Sequence, residues 1–212
     1  MKEFYQSMSK YVYPIYILLH PVDGYHEMKN NKKYSLLAAN IILTAWVILK
    51  ILSWGYVDFD FIEYYGDIEL LQVLVTTIIF FAVAMISNWC FCTLMDGKGR
   101  FKEIWISCAY ALIPYTLLGL VRIALSYIMV ESEEGIFLSY MNVIGMIWTA
   151  LLIFLALYVV HDYTVPKTVA SILLTVLGVL IIMFLAVLVS GLVTQIYSFF
   201  ATIFFEIKLR TL

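Results

Sequence analysis

Polar side chains inside long apolar stretches have the most capacity for chemistry in this sequence, because each costs free energy that packing or a ligand must recover. Asn88 stands near the end of one apolar run, and Arg122 stands deeper within another. At about 100° per residue, a polar stripe shares one sector of roughly 160° on the helix predicted to carry Arg122. Its members are Ser107, Tyr110, Pro114, Arg122 and Ser126. The stripe could line a polar cavity, with Asn88, Tyr110, Pro114 and Arg122 as functional residues. Alternatively, Arg122 reaches acidic outer loops or backbone carbonyls freed by Pro114, which is the favoured interpretation.

Lys50 is a second charge inside a predicted membrane span. It lies about one and a half turns from the outer end, so its long side chain is expected to extend outward toward Asp58 or Asp60.

Cysteine and histidine side chains raise the question of metal binding. Cys90 and Cys92 are about 200° apart around a helix, so their thiols diverge and cannot form a site alone. The histidines, His20, His26 and His161, are interpreted as polar residues at the ends of apolar runs. No G-x-S-x-G, H-E-x-x-H, P-loop or G-x-G-x-x-G motif occurs. We therefore predict no enzyme activity, no metal and no cofactor.

Composition places these residues in a membrane protein. Of 212 residues, 64% are hydrophobic and 13% charged, and the mean hydropathy is +0.95. A soluble domain carries about 45–50% apolar and about 25% charged residues, so this chain cannot cover a water-exposed surface. The net charge of −2 gives no basic footprint for nucleic acid.

The elements that must position the polar residues are apolar runs long enough to cross a bilayer, which takes roughly 20 residues as a helix. The runs cover about 34–56, 70–95, 104–130, 136–160 and 168–190 or longer. The sequence therefore predicts an all-α, polytopic membrane protein with five transmembrane helices. The last run is too long for one ordinary span. Ser190–Gly191 is a plausible kink or boundary, after which the chain continues a tilted helix or lies along the interface.

Loop charges predict the orientation. The N-terminal segment and the second and fourth loops contain the basic residues, which are Lys2, Lys10, Lys29, Lys32, Lys33, Lys98, Arg100, Lys102 and Lys167. The first and third loops have no Lys or Arg and carry only acids, which are Asp58, Asp60, Glu63, Asp67, Glu69, Glu131, Glu133 and Glu134. By the positive-inside rule the N-terminus is cytoplasmic and the C-terminus outside, although Lys208 and Arg210 run mildly against this.

Residues 1–33 are too polar to span and form a segment distinct from the transmembrane domain at 34–212. Apolar residues at three- and four-residue steps, Phe4, Met8, Tyr11, Ile15 and Leu19, predict an amphipathic helix interrupted near Pro14. Pro21 would open a short second helix. The segment either lies on the cytoplasmic membrane surface or packs beneath the bundle, and the sequence leaves both open.

Two segments resemble a known family. HPVDGYHEMK at 20–29 resembles the opening H-P-x-x-x-[FY]-x-x-[LMI]-K of bacterial proteins in the Yip domain family, through His20, Pro21, Tyr25 and Lys29. DGKGRFKEIWISCAYALIPY at 96–115 resembles the family's most distinctive segment. The positions that match there are Gly99, Phe101, Lys102, Glu103, Tyr110 and Pro114.

This resemblance implies a five-helix membrane domain with a cytosolic N-terminus. Eukaryotic members bind prenylated Rab GTPases in endoplasmic reticulum–Golgi trafficking and form hetero-oligomers. The chain lacks their long cytosolic region and their Asp-Leu-Tyr-Gly-Pro motif, and resembles a prokaryotic member instead. We therefore expect a bacterial cell membrane, the lipid bilayer as solvent and no Rab GTPase partner.

Two functions follow. The first is a membrane scaffold or accessory protein that binds another membrane protein or a like copy. The second is a small transporter, channel or lipid-handling protein that uses the polar stripe of the third span. The five spans lack the obvious inverted repeat that many transporters show, which lowers the second.

Overall fold

The computed structural model describes residues 13–32, 34–55, 70–126 and 131–210, with side chains described except at 54–55, 70–71, 131–135 and 204–210. Throughout these ranges the regular secondary structure is α-helix and no strand occurs. Five helical segments are long and apolar enough to cross a membrane: Leu36–Ser53, Gln72–Leu94, Phe101–Ser126, Ile136–His161 and Val165–Ile203. The predicted all-α, five-span architecture is therefore confirmed.

Two short helices precede the spans. Helix α1 covers Tyr13–Leu19 and α2 covers Pro21–Asn31. Pro14 lies in the first described turn of α1, and the two described helices are separated at His20, whose φ of −132° and ψ of 71° are not helical. Pro21 opens α2, as predicted, where its missing N–H costs nothing. The residues Phe4, Met8 and Tyr11 lie outside the described range.

The two helices pack under the bundle. Tyr13, Ile17, Tyr25 and Met28 are fully buried and belong to the same hydrophobic core as the spans. For residues 13–32 the structure thus favours packing beneath the bundle over a helix that merely lies on lipid.

The first, second and fourth spans are single helices. Helix α3 covers Leu36–Gly55, α4 covers Leu70–Leu94 and α7 covers Glu131–His161. The third span is divided into α5 (Phe101–Ala111) and α6 (Ile113–Ser126). The predicted third span is present, and its helix is interrupted at Leu112, because Pro114 has no N–H to donate to the preceding turn.

Helix α5 is the centre of the bundle. Six of its residues are inaccessible to solvent: Ile104, Ile106, Ser107, Ala109, Tyr110 and Ala111. Helices α3 and α7 pack against it, and α2 closes the end at which α5 begins. We call this end, where α2 and the loops 95–100 and 162–164 meet, the N-terminal end of the bundle.

The last helix, α8, runs from Val165 to Arg210. It packs along α4, and this contact is closest at Gly178, where an added methyl group would overlap Ser87 and Phe91. The last buried residue is also Gly178, and every described side chain from Met183 to Ile203 is exposed. The helix continues through Ser190–Gly191, so the boundary predicted there is absent.

Candidate functional site

A buried polar cluster joins α4, α7 and α8 near the N-terminal end. We call it the polar junction; it comprises Ser87, Asn88, Cys92, His161, Tyr163, Ser171 and Thr175. Helix α4 supplies the adjacent residues Ser87 and Asn88 and, four residues after Asn88, Cys92, which lie within one sector of roughly 140° that faces α8. Helix α8 supplies Ser171 and Thr175, also four residues apart. Two facing rows of small polar side chains are therefore brought together inside the membrane-spanning region.

Asn88 is the centre of a directed chain of hydrogen bonds. Thr175 donates its hydroxyl proton to the Ser171 carbonyl at 2.8 Å, so it must accept from Asn88 Nδ2 at 2.9 Å. The amide oxygen Oδ1 then faces His161 Nε2 at 3.2 Å and can only accept. The network therefore assigns the proton of the neutral imidazole to Nε2.

His161 closes the junction against the loop 95–100. Its Nδ1 is buried and has no hydrogen-bond partner among the described residues. A methyl group added at Gly97 would lie 2.7 Å from Nδ1, and one added at Gly99 would lie 2.9 Å from it. Both glycines thus allow the loop backbone to approach the ring more closely than any side chain would permit. The loop at 96–99 therefore covers the His161 ring.

Cys92 and Tyr163 complete the junction. Cys92 Sγ lies 3.0 Å from Ser171 Oγ, whereas Cys90 is exposed, so the two thiols diverge as the helical spacing predicts. The Tyr163 hydroxyl donates to the Cys92 carbonyl at 3.1 Å, and its ring stacks on His161 with centroids 5.2 Å apart. Burial raises the pKa of Tyr163, which keeps this hydroxyl protonated as a donor. The arrangement fixes the loop 162–164 to the end of α4.

Helix α2 is fastened to the same end by its polar side chains. The Tyr25 hydroxyl, fully buried, donates to the Ser107 carbonyl at 3.2 Å. Lys29 Nζ donates to the Val159 carbonyl at 3.0 Å, in the last turn of α7, where a cation is favourable. Asp162 pairs with Lys98 at 3.0 Å and with Lys29 at 3.6 Å. The hydrogen bond from Lys98, then the charge of Lys29, lowers the pKa of the Asp162 carboxyl.

The structure explains the remaining residues of the 20–29 motif by packing. The His20 ring stacks on Tyr16 with centroids 5.1 Å apart, and Pro21 occupies the first turn of α2. A methyl group added at Gly24 would lie 2.8 Å from Ile17 Cγ1, so this glycine sets the close approach of α1 and α2. His26 is exposed.

The 96–115 motif places its residues at the start and the middle of the third span. The Glu103 carboxylate accepts from the Arg100 backbone N–H at 3.1 Å and caps α5. Phe101 packs edge-on against Trp89, and Lys102 Nζ lies 5.7 Å from the Tyr34 ring centroid. These residues anchor the start of α5 at the membrane boundary.

Farther along the span, Tyr110 and Pro114 are buried on the predicted stripe. The Tyr110 hydroxyl accepts from the Ser35 N–H and donates to the Ser35 carbonyl, both at 3.1 Å, which ties α5 to the start of α3. Arg122 is half-buried on α6, and no hydrogen bond or ion pair joins it to a described residue. The acidic side chains of the first and third outer loops, its predicted partners, lie outside the described residues.

Lys50 has a described partner. Its Nζ donates to the Tyr115 hydroxyl at 3.2 Å and lies 5.1 Å from the ring centroid. The predicted partners Asp58 and Asp60 lie outside the described residues. The interaction with Tyr115 connects α3 to α6 rather than to an outer loop.

Sequence reasoning missed the role of His161, which was interpreted as a boundary residue but is 1% exposed and central to the junction. It also missed Ser171 and Thr175. The available signal was the four-residue spacing of small polar residues on both α4 and α8, Asn88–Cys92 and Ser171–Thr175. Within the described residues, no three His, Cys, Asp or Glu side chains are grouped as metal ligands would be. The hydrogen bonds of the junction fasten α4, α7 and α8 to one another.

Comparison with known proteins identifies one family. A profile of the Yip1 domain matches residues 15–189 of the 212-residue chain, from α1 to the middle of α8. No curated protein and no solved structure matches the chain.

Proposed function

The chain belongs to the Yip1 domain family, and we propose that it is a non-enzymatic membrane scaffold or accessory protein that binds another membrane protein or a second copy of itself. The observation that carries this proposal is the free second half of α8. The apolar stretch Val165–Ile203 is only 6% buried, far below the 61% of the third span.

Helix α8 is too long to be an ordinary span. Its 46 residues measure roughly 69 Å at about 1.5 Å per residue, against a hydrocarbon core of about 30 Å. Tilted by about 40°, the upper limit of the usual range, a helix crosses the core in roughly 26 residues. Counted from Val165, that length ends at about Ser190. The remainder is available to a partner.

The segment 190–203 has two unlike faces. Within one sector of roughly 140°, at about 100° per residue, lie small and polar residues only. They are Ser190, Gly191, Thr194, Gln195, Ser198, Ala201 and Thr202. The opposite sector has the bulky residues Leu192, Val193, Ile196, Tyr197, Phe199, Phe200 and Ile203. Small residues let helix backbones approach closely in lipid, and hydroxyls can bond across the contact. The small face supports association with another helix.

The lysine bias supports a cytoplasmic N-terminal end in a bacterial cell membrane, with the C-terminus outside. Because the Asp-Leu-Tyr-Gly-Pro motif of the Rab-binding relatives is lacking, we infer no Rab GTPase partner. The transporter alternative has less support. Asn88 lies near the N-terminal end of the bundle, and both of its amide atoms are hydrogen-bonded within the protein. Arg122 lies on α6, one turn before that helix ends at Ser126, and so is far from Asn88 along the spans.

Cysteine cross-linking tests the proposal. Cys90 is exposed and is replaced by serine, while Cys92 and Cys108 are buried and stay. In this background we compare Ser198→Cys on the small face with Ile196→Cys on the bulky face, in native membranes. We expect the Ser198 variant to form a disulfide-linked dimer or a cross-link to one stoichiometric partner. If a thiol reagent labels the introduced cysteine equally in both variants and neither variant gives a cross-linked product, the proposal is overturned. Solute flux in liposomes that Arg122→Ala abolishes without loss of folding would favour the transporter.

A further inference from the structure

An apolar cleft lies between α3, α4 and α5, away from the polar junction and from the free half of α8. Its volume is about 420 Å³, and its walls include Leu43, Val47, Ile51, Leu74, Ile78 and Phe81. It extends along α3 from Asn40 to Ile51, which is roughly 16 Å at about 1.5 Å per residue. All of these walls belong to membrane-spanning segments, so the cleft opens into lipid rather than water.

The cleft continues into a smaller recess at the N-terminal end. Asn40 and Trp105 line both spaces and are joined by a hydrogen bond of 3.2 Å from Trp105 Nε1 to Asn40 Oδ1. The recess has a volume of about 290 Å³ and adds Leu36, Phe101 and Lys102 to the lining. The two spaces form one slot that is apolar within the membrane and has a cation at its mouth.

Lys102 is available to a ligand. It is exposed, and the ion pairs among the described residues involve Lys29 and Lys98 instead. The neighbouring Glu103 carboxylate turns back to the Arg100 backbone and caps the helix. The amide Nδ2 of Asn40 adds two donors at the same level, since Oδ1 is the atom that accepts from Trp105.

We propose that this slot binds one anionic phospholipid of the bilayer, with an acyl chain in the cleft and the phosphate at Lys102 and Asn40. A helix about 10 Å across would fill roughly 1,300 Å³ over the same 16 Å, so the cleft is too narrow for a partner helix or a second copy. A single hydrocarbon chain fits an apolar, elongated slot that faces lipid. The cation at headgroup level selects an anionic headgroup, as basic pockets between transmembrane helices do.

Native mass spectrometry tests this with the full-length protein in micelles containing equal amounts of phosphatidylglycerol and phosphatidylcholine. We expect wild-type protein to retain phosphatidylglycerol at roughly five-fold higher occupancy, the ratio that one lysine near a headgroup supplies. Lys102→Gln should remove this preference. Lys167→Gln, which replaces a half-buried lysine at the same end outside the slot, should keep it.

A second pair of variants tests the acyl-chain cleft. Val47→Phe fills the slot and should lower the occupancy of both lipids several-fold, whereas Val176→Phe, on an exposed face of α8, should leave both unchanged. Equal binding of the two lipids by the wild type would overturn the proposal. So would an unchanged preference in Lys102→Gln, or Val47→Phe binding as Val176→Phe does. Because Lys102 is exposed, its variant keeps the test informative if Val47→Phe fails to fold.

Discussion

Replacement of Asn88 by alanine is the most direct test of the polar junction. The change removes two hydrogen bonds, one to Thr175 and one from His161. Hydrogen bonds between transmembrane helices average about 0.6 kcal/mol and reach about 1.7 kcal/mol, so the pair contributes roughly 1–3 kcal/mol. The Nε2–H of His161, 1% exposed, is then left unpaired at a further cost of about 1–3 kcal/mol. We expect a total loss of roughly 2–6 kcal/mol.

The loss is measured by equilibrium unfolding in mixed micelles. Asn142→Ala is the matched control, because Asn142 is an exposed asparagine within a span and its replacement should change stability by about 0.5 kcal/mol or less. A double-mutant cycle between Asn88→Ala and His161→Ala should give a coupling free energy of at least about 0.6 kcal/mol. A loss no larger than that of the control, or a coupling near zero, would refute the hydrogen-bond chain as the fastening of this bundle.

Three further predictions follow from close contacts and charges. Gly178→Ala should destabilise the protein by about 1–3 kcal/mol in the same unfolding assay, because the added methyl group pushes α4 away from α8. Gly191→Ala is the control: its methyl group would have no atom within 4 Å, so the change should be neutral or stabilising by up to about 1 kcal/mol. Tyr25→Phe should cost about 0.5–1.5 kcal/mol, since it removes the hydrogen bond to the Ser107 carbonyl while that carbonyl keeps its helical N–H partner in α5, and faster proteolysis near residue 32 would report the release of α2. Asp162, whose pKa is lowered by Lys98, stabilises the fold above its ordinary pKa of 3.8 and loses this contribution as the pH falls through its folded pKa. The melting temperatures of wild type and Asp162→Asn should therefore differ at pH 7 and converge only as the pH falls below 3.8 and through the lowered pKa of the folded state; a gap that is constant with pH would contradict the ion pair.

Hydropathy was sufficient to predict the five spans because a bilayer imposes a minimum apolar length on each helix. The same reasoning could not locate the break at Leu112. Pro114 was visible in the sequence, but a proline is also tolerated inside transmembrane helices where neighbours satisfy the freed carbonyl. Both α5 and α6 pack against α3 and α7, and periodicity along one helix does not predict how these neighbours set the bend between them.

The polar junction was less accessible to sequence reasoning. Asn88 was identified as a costly polar residue, yet its partner His161 is 73 residues away and looks like part of a loop. Periodicity tells which residues share a face of one helix, but it does not tell which face meets which helix. Gly97 and Gly99 likewise looked like an ordinary turn, because the ring that they cover comes from the far end of α7.

The sequence separation between Asn88 and Thr175 also delays the formation of their hydrogen bond during synthesis. Their hydrogen bond joins residues 87 positions apart. At synthesis rates of about 5–20 residues per second, roughly 4–17 s separate the appearance of the amide from that of its acceptor. During this interval α4 must reside at the membrane with an unsatisfied side chain, held by water at the headgroups or by the insertion machinery. Assembly is therefore completed by the last helix, and a chain that stalls before Ser171 exposes a polar residue to lipid and becomes a target for membrane quality control.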